Sequence, residues 1–312
     1  MAPAPDHAHL MKAVLCRETF SDPGWIYERK LDGIRCLAIR DDDGGDGDGD
    51  LRMLSRNDLD LTGRYPEIRD ALRAQSGHRF AVDGELVAFD GGRTSFARLA
   101  QRGRHPTRVY YYVFDILWLD GDDVRALALR ARKRLLRDAL QFGGPLRFAT
   151  HRNRDGQALF EHACRQGWEG VIAKRADSPY RDTRSRDWLK FKCEAGQELV
   201  IGGYTAPRGS RSDLGALLLG YHDGDGRLRY AGKVGTGFTH ETLADLRRRL
   251  SPLRRDGSPF GDRIRETGVT WVTPTLVAEV AFTEWTNAGR LRHPRFLGLR
   301  EDKAAREVVR ER

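Results

Sequence analysis

The sequence predicts an α+β protein with two domains, and three features of the chain support this prediction. Short apolar runs alternate with turn residues between residues 25 and 120, a pattern typical of strands in antiparallel or mixed sheets. Two stretches with helical spacing follow, Arg125 to Leu140 and Gly156 to Gln166. Beyond them the chain returns to short strands with one helix, His240 to Leu250, which indicates a second domain built as a small β-barrel.

The apolar runs define the elements of the first domain. Four runs predict strands: Gly33 to Arg40, Leu51 to Ser55, Phe80 to Phe89 and Val109 to Trp118. The stretch from Arg125 to Leu140 alternates leucines with basic residues, which predicts an ordinary helix with a solvated basic face. The strand pattern restarts after Cys193, so we expect one domain at 1–194 and a second at 195–312.

The composition indicates a globular protein with a polyanionic partner. The chain has 312 residues, of which 39% are hydrophobic, so it can bury a core in each of two domains. Its 54 Lys and Arg exceed its 45 Asp and Glu, giving a net charge of +9. Nucleic acid is the leading partner for such a charge, and a basic protein without that role is the alternative.

The cysteines and the apolar pattern bear on the compartment. Cys16, Cys36, Cys164 and Cys193 are widely spaced, so neither a zinc ribbon nor a disulfide framework is expected. No run approaches the roughly eighteen consecutive apolar residues that a membrane span requires. The N-terminus lacks a secretory signal pattern. We therefore expect a cytoplasmic protein with no membrane partner.

The run from Tyr27 to Arg35 contains a candidate nucleophile, Lys30. Arg29 and Arg35 flank this lysine, and neighbouring cations together with partial burial favour the free amine that attacks phosphorus. Taken alone, the run also fits a strand that ends in a turn with a solvated lysine.

Five further clusters follow Lys30 in a fixed order. They are Ser55 to Asn57, Asp83 to Val87, Tyr112 to Leu117, Glu169 to Lys174 and Trp188 to Lys192. Together with the Lys30 run, this order resembles the nucleotidyltransferase core of the ATP-dependent DNA ligases and of their relatives, the messenger-RNA capping enzymes and RNA ligases. The resemblance covers roughly residues 25 to 195. It implies a nucleotidyltransferase (adenylation) domain followed by a small barrel of the oligonucleotide-binding (OB) type.

The resemblance assigns roles that match the chemistry of a nucleotide site. A base stacks on an aromatic ring, phosphates bind cations, and a divalent metal binds carboxylates. The cofactors implied are ATP and Mg²⁺ or Mn²⁺. The implied roles are Lys30 as the adenylated nucleophile, Phe114 for adenine stacking, Glu85 for the ribose or metal, Glu169 for the metal, Lys190 and Lys192 for the ATP α-phosphate, Arg35 and Arg56 for the nucleotide and the DNA 5′-phosphate, and Glu28 and Lys174 for the nucleotide.

The C-terminal run from Leu291 to Lys303 looks like the last motif of ATP-dependent DNA ligases. The basic residues of that motif orient the pyrophosphate leaving group during adenylation of the lysine. Gly298 stands where many cellular ligases carry another arginine, and this form is similar to the ligase module of bacterial end-joining ligases. Arg300 and Lys303 are the residues that we expect to contact the pyrophosphate.

Three further loops have patterns that invite comparison with known binding loops. The acidic run from Asp41 to Asp50 lacks the glycine and the closing glutamate of a calcium loop, so we expect a solvated hairpin loop. The run from Gly232 to Phe238 lacks the ending of a phosphate loop and reads as a strand and turn, in which Lys233 is a candidate phosphate contact. The basic loop from Arg208 to Arg211 fits either a duplex backbone contact or a solvated loop.

The resemblance implies an enzyme that seals nicks or breaks in duplex DNA through a lysyl-AMP intermediate. Because no large domain precedes Lys30 and nothing follows Arg312, we expect a monomer that depends on an end-bridging protein partner. One alternative is an RNA ligase or capping-type nucleotidyltransferase, which labelling with GTP rather than ATP distinguishes. Another is a non-catalytic nucleic-acid-binding protein of the same fold. The absence of a cysteine cluster argues against an NAD-dependent ligase with its zinc module.

Overall fold

The fold is described from a computed structural model. It describes residues 4–5, 10–41, 51–75, 77–100, 102, 106–193, 195–207 and 214–311. Most of the predicted acidic loop at residues 41–50 and all of the basic loop at residues 208–211 therefore lie outside the described residues. The chain divides into two compact units, Met1–Cys193 and Glu194–Arg312.

The first unit combines two β-sheets with short helices. Its strands are β1 (Lys12–Leu15), β2 (Trp25–Lys30), β3 (Ile34–Arg40), β4 (Leu51–Ser55), β5 (Phe80–Asp90), β6 (Arg93–Thr94), β7 (Val109–Leu119), β8 (Asp122–Asp123), β9 (Leu146–Phe148), β10 (His151–Arg152), β11 (Gly170–Arg175) and β12 (Arg184–Lys192). Its helices are α1 (Pro66–Arg73), α2 (Phe96–Ala100), α3 (Leu129–Ala139) and α4 (Gly156–Arg165). The four predicted strands are therefore present, and both predicted helices are present with shorter bounds.

One sheet has the strand order β1-β12-β11-β2-β10. Along its strands, side chains alternate between two faces. One face carries apolar residues that pack with Leu159 and Ala163 of α4, so this face is closed by the helix. The opposite face carries the polar residues of β2, β11 and β12.

The other sheet has the strand order β4-β3-β5-β7-β8, with β6 paired to β5 and β9 paired to β7. One face packs with α1, α2 and α3 in a large apolar cluster. The other face contributes Leu37, Ile39 and Ala81 to a second cluster, which also contains Trp188 of the first sheet. The polar face of the first sheet therefore faces the second sheet across this cluster.

The second unit is a β-sheet structure with one helix. Its elements are β13 (Ala195–Thr205), β14 (Leu217–His222), β15 (Leu228–Val234), α5 (His240–Leu250), a 3₁₀ turn (Ser251–Leu253), β16 (Val269–Trp271), β17 (Val277–Phe282), β18 (Glu284–Trp285), β19 (Leu291–Arg292), β20 (Arg295–Arg300) and a second 3₁₀ turn (Ala305–Glu307). The main sheet has the order β15-β14-β13-β17-β20, with β16 paired to β13, and β18 pairs with β19. Thr239 caps α5, since its side chain accepts a hydrogen bond from the backbone N–H of Thr242. Leucines of α5 complete the apolar core of this unit.

Two expectations about the first unit were wrong. Cys164 and Cys193 form a disulfide, whereas we expected none. The two residues are 29 positions apart, and they meet because α4, which carries Cys164, packs against the sheet in which β12 ends just before Cys193. The predicted solvated helix, α3, carries two buried cations, Arg132 and Lys133. In the part of the chain that the structure describes, no helix has both the length and the apolar character to cross a membrane.

Candidate active site

Lys30 lies at the end of β2 on the polar face of its sheet. Its Nζ forms an ion pair with Oε1 of Glu169, which immediately precedes β11. The guanidinium of Arg29 packs over the ring of Trp168, 4.2 Å from the centroid, and the guanidinium of Arg35 binds Asp83. We expected these two arginines to influence the Lys30 amine; the structure instead places a carboxylate in contact with it.

The register of three neighbouring strands collects the predicted lysines on one face. Lys30 of β2 pairs with Gly170 of β11, which pairs with Lys192 of β12. Two residues along, Glu28 aligns with Ile172 and Lys190. Because paired residues in antiparallel strands project to the same face, Lys30, Lys190 and Lys192 share one surface. This surface has the cations that a triphosphate requires.

Gly170 permits the close strand packing at the centre of this surface. Its φ is +149°, and a Cβ at this position would collide with the carbonyl oxygen of Phe191 on β12. Only glycine adopts this backbone conformation readily. The glycine thereby allows the chain to enter β11 close to β12, with the preceding residue Glu169 beside Lys30. Burial opposes ionisation of the Glu169 carboxyl, but the charges of Lys30, Lys192 and Lys190 together outweigh it and lower the pKa.

Glu28 is the centre of a buried charge network beneath the same surface. Its Oε1 accepts a hydrogen bond from Lys133 Nζ at 2.5 Å, and its Oε2 lies 2.7 Å from Lys174 Nζ. Burial opposes ionisation of Glu28, but the two lysines outweigh it and lower the pKa. Burial also lowers the pKa of Lys174 to about 8, against the favourable charge of Glu28. Lys133 additionally donates to the carbonyl oxygens of Ala149 and Phe114, at 2.9 and 3.3 Å.

Phe114 is placed by a β-bulge in β7. Asp83 and Gly84 of β5 pair with Asp115 and Val113, so Phe114 is the extra residue between them. Bulges redirect a side chain locally, and this bulge brings the ring toward the first sheet. The ring is 8% exposed, meets Trp188 edge-on, and has Lys174 Nζ 4.1 Å from its centroid.

Arg35 of β3 is held by a buried carboxylate. Its Nε and Nη2 donate to Oδ1 and Oδ2 of Asp83, both at 2.5 Å, and Nη2 also donates to the carbonyl oxygen of Met11 at 3.2 Å. Burial disfavours the charged guanidinium, but Asp83 more than compensates and raises the pKa. The guanidinium lies 4.7 Å from the Phe114 centroid, which places Arg35 beside the ring.

The remaining predicted residues of the first unit lie near Arg35. Glu85 of β5 is the Cα partner of Arg35. Arg56 directly follows β4, whose last residue Ser55 pairs with Cys36 next to Arg35. The sheet therefore brings Arg35, Glu85 and Arg56 to one region.

Two carboxylates, Glu85 and Glu169, are the predicted metal ligands. Among the described residues, no group of three or more His, Cys, Asp or Glu side chains is arranged to hold a metal ion. Mg²⁺ commonly binds through one or two carboxylates together with substrate phosphates and water. Carboxylates such as Glu169 beside Lys30 and Glu85 opposite Arg35 suit a divalent metal that also binds the phosphates of ATP, rather than a metal site built from protein ligands alone.

In the second unit, the predicted pyrophosphate contacts are bound to carboxylates. Arg300 forms a two-pronged ion pair with Asp302, both distances being 2.8 Å, and its Nη1 is 3.4 Å from Oε2 of Glu279. Lys303 Nζ is 3.0 Å from Oε2 of Glu198. Burial opposes the charged state of Arg300, yet Asp302 and the other acids raise its pKa. Gly298 is the Cα partner of Glu279 and contributes no side chain at that position. Elsewhere in this unit, the candidate phosphate contact Lys233 forms an ion pair with Glu266 at 2.8 Å.

Sequence reasoning missed three residues that hold the site together: Lys133, Asp83 and Tyr180. Lys133 is 105 residues from Glu28, and Tyr180 is 97 residues from Asp83, so no local spacing connects either pair. A weak signal existed for Asp83, since it opens the cluster that contains Glu85. No comparable signal marked Lys133 within its basic helix.

Comparison with known proteins identifies the family. Residues 7–192 match the profile described as "ATP dependent DNA ligase domain", and residues 210–303 match "ATP dependent DNA ligase C terminal region". The "Multifunctional non-homologous end joining protein LigD" of Pseudomonas aeruginosa is 45% identical over 300 residues, covering 92% of this chain and 35% of that protein. The corresponding LigD of Mycobacterium tuberculosis is 42% identical over 293 residues, covering 92% and 37%.

Solved structures agree with the sequence comparison. The structure titled "mycobacterial DNA ligase D complexed with ATP and MES" has a TM-score of 0.70 and 38% identity, covering 97% of this chain and 98% of that chain. The structure of the ligase domain from M. tuberculosis LigD has a TM-score of 0.53 and 38% identity, covering 98% and 100%. The chain spans about a third of the length of the curated LigD proteins that it matches. The expected α+β fold, a nucleotidyltransferase domain followed by an OB-fold domain, is confirmed, and the chain belongs to the family of ATP-dependent DNA ligases.

Proposed function

We propose that this protein is an ATP-dependent DNA ligase that seals nicks or breaks in duplex DNA, with Lys30 as the nucleophile. The observation that supports this proposal best is the shared surface of Lys30, Lys190 and Lys192, with Glu169 in contact with Lys30. A lysine amine beside two further cations and a carboxylate suits attack on a phosphate, because the cations offset the charge that develops at phosphorus.

The proposed reaction has three transfers. Lys30 Nζ loses a proton to solvent, and its lone pair attacks the α-phosphorus of ATP. The new N–P bond forms as the bond to the pyrophosphate leaving group breaks. The AMP then passes from Lys30 to the 5′-phosphate of a nick, which breaks the N–P bond and restores the amine. The 3′-hydroxyl attacks this activated 5′-phosphate, forms the phosphodiester and releases AMP. A divalent metal supplies further stabilisation of phosphate charge when bound.

The scheme gives each predicted residue a role, and for the residues of the first unit this role is supported by their positions. Lys190 and Lys192 lie on the Lys30 surface and bind the α-phosphate. Phe114 offers an aromatic ring for the adenine, close to Lys174 and above the Glu28 network. Further contacts with the ribose, the metal and the phosphates come from Glu85, Glu169, Arg35 and Arg56, while Arg300 and Lys303 orient the pyrophosphate.

The relatives suggest the biological setting. They are named as non-homologous end-joining proteins, so we infer that broken duplex DNA is a substrate of this chain and that an end-bridging protein assists it. The net charge of +9 supports binding to the DNA backbone. Mg²⁺ or Mn²⁺ is the metal, the chain acts as a monomer, and the cytoplasm is its compartment in this proposal. The disulfide removes one reason for inferring the cytoplasm, because that inference rested in part on the expectation that the cysteines are reduced.

A label-transfer experiment tests the proposal. The protein is incubated with ATP labelled at the α-phosphate and a divalent metal, then chased with nicked duplex DNA. Label that attaches to the protein and leaves as the nick closes supports the ligase. Lys30→Ala must abolish labelling, whereas Lys12→Ala, which removes an exposed lysine from β1 of the same sheet, must retain it. Labelling of Lys30→Ala, or labelling by GTP in place of ATP, would contradict the proposal.

A further inference from the structure

Tyr180 has a buried hydroxyl next to the proposed site. It lies between β11 and β12 and is 5% exposed. Its hydroxyl donates a hydrogen bond to Oδ2 of Asp83 at 2.7 Å and accepts one from the backbone N–H of Met11 at 2.9 Å. The ring meets Trp188 edge-on at 5.7 Å between centroids. Both the polar and the apolar parts of the side chain are therefore fixed by neighbours.

Asp83 links Tyr180 to Arg35. Oδ2 of this fully buried carboxylate accepts from both the Tyr180 hydroxyl and Arg35 Nη2, while Oδ1 accepts from Arg35 Nε. The backbone of Met11 completes the arrangement, since its N–H donates to Tyr180 and its carbonyl oxygen accepts from Arg35. Tyr180, Asp83, Arg35 and Met11 thus form a closed hydrogen-bonded ring.

This ring determines which edge of the guanidinium is available. The N–H of Nε and the two N–H groups of Nη2 are all used, by Asp83 and Met11. In the described part of the chain no acceptor is bound to Nη1, so its two N–H groups remain for a ligand. The face of the guanidinium rests on Phe114 and Trp188, at 4.7 and 5.6 Å from their centroids. Rotation of the guanidinium would break contacts on its edge and on its face.

We propose that Tyr180 is a positioning residue that orients Arg35, so that Nη1 faces the phosphate that is transferred. This inference rests on the proposed phosphate-binding role of Arg35. Removing the Tyr180 hydroxyl leaves Asp83 with one donor fewer and leaves the Met11 N–H without its acceptor. The Asp83 carboxylate is then free to rotate about Cβ, and Arg35 rotates with it. Because orientation contributes to the barrier of phosphoryl transfer, the rate of the chemical step falls.

The test compares Tyr180→Phe with a matched control, Tyr111→Phe. Tyr111 is also fully buried, and its hydroxyl lies 2.8 and 3.0 Å from the carbonyl oxygens of Cys36 and Val82. These residues adjoin Arg35 and Asp83 on the same strands but belong to the core on the opposite face. Both variants lose one buried hydroxyl, and only Tyr180→Phe loses a contact to the Arg35 network.

Three rates are measured for each variant: self-adenylation against ATP concentration, transfer of AMP from labelled protein to a nick, and closure of a nick that already carries AMP. Tyr180→Phe is expected to slow AMP transfer about tenfold at saturating DNA, with the KM for ATP changed less than about twofold. Tyr111→Phe is expected to retain wild-type rates. Equal losses in the two variants would overturn the inference, since a general loss of stability would then explain both.

A double-variant comparison separates positioning from an independent effect. Arg35→Lys keeps the positive charge and removes the two-pronged geometry. If Tyr180 acts through Arg35, adding Tyr180→Phe to Arg35→Lys causes no further slowing of AMP transfer. Additive losses would overturn the inference. Failure of the wild-type protein to become labelled would instead overturn the proposed function, so the two failures are distinguishable.

Discussion

Reduction of the disulfide between Cys164 and Cys193 is expected to destabilise the first unit. The bridge closes a segment of 29 residues, from α4 through β11 and β12. In the chain-entropy treatment, releasing a loop of this length increases the entropy of the unfolded chain by about 12 cal/mol/K, or about 3.6 kcal/mol at 25 °C. For a unit of this size the corresponding decrease in Tm is roughly 7 to 14 °C.

The assay measures urea unfolding of the oxidised protein with and without a thiol reductant. The double variant Cys164→Ser/Cys193→Ser should match the reduced wild-type protein and should not respond to the reductant. Cys16→Ser removes a free thiol outside the bridge and should keep the full response. Thiol titration of unfolded, unreduced protein should detect only Cys16 and Cys36.

Two results would refute this reasoning. Titration of all four cysteines before reduction would show that the bridge does not form in solution. An unchanged free energy of unfolding after verified reduction would show that the closed loop contributes nothing to stability, and the entropic account would then fail for this unit.

The other predictions concern the buried charges and the central glycine. Lys133→Met should cost about 3 kcal/mol in urea unfolding because it removes one of the two cations that pair with buried Glu28, and adding Glu28→Gln should recover part of the loss. The folded-state pKa of Lys174 is about 8, below the usual 10.5, so the unfolded chain binds more protons between these values and stability should rise with pH from about 8 to 10.5; in Lys174→Met this rise should be smaller, and an identical slope would contradict the assignment. Gly170→Ala should destabilise the protein by roughly 1 to 3 kcal/mol and reduce labelling by ATP, since its Cβ would collide with the Phe191 carbonyl; wild-type stability would contradict this.

The strands could be predicted because their signals are local, whereas the candidate site residues were assigned from the resemblance to the ligase family. Apolar alternation from Ile34 to Arg40 and from Val109 to Leu119 follows from the two-residue period of a strand that buries one face. The site residues lie beside turns and strand ends, where short ordered clusters are visible in the chain. Their assigned roles stay predictions, because position alone does not show which ligand atom each side chain contacts.

The supporting contacts could not be predicted because they join distant parts of the chain. Two adjacent basic residues of α3, Arg132 and Lys133, have the same local appearance as solvated cations. Arg132 is fully buried and makes a two-pronged ion pair with Asp115, at 2.8 and 2.9 Å. The partner becomes apparent only once α3 packs against β7, so helical spacing alone gave the wrong exposure. The disulfide was missed for the same reason.

Most of the cations in the candidate catalytic and nucleotide-binding set have a carboxylate partner within their own unit. The pairs are Lys30 with Glu169, Arg35 with Asp83, Lys174 with Glu28, Arg300 with Asp302, and Lys303 with Glu198. In the first unit, Lys30 shares one surface with Lys190 and Lys192, where cations repel each other. A carboxylate such as Glu169 reduces this repulsion and fixes the position of its partner before a ligand arrives. A triphosphate carries several charges and offers more acceptor oxygens than one carboxylate, which would allow it to compete with Glu169 for Lys30. In the proposed function, phosphate binding exchanges the Glu169 partner of Lys30, whereas Arg35 keeps Asp83 and offers Nη1. The residues that hold the carboxylates, such as Tyr180 and Lys133, determine how well these positions are kept.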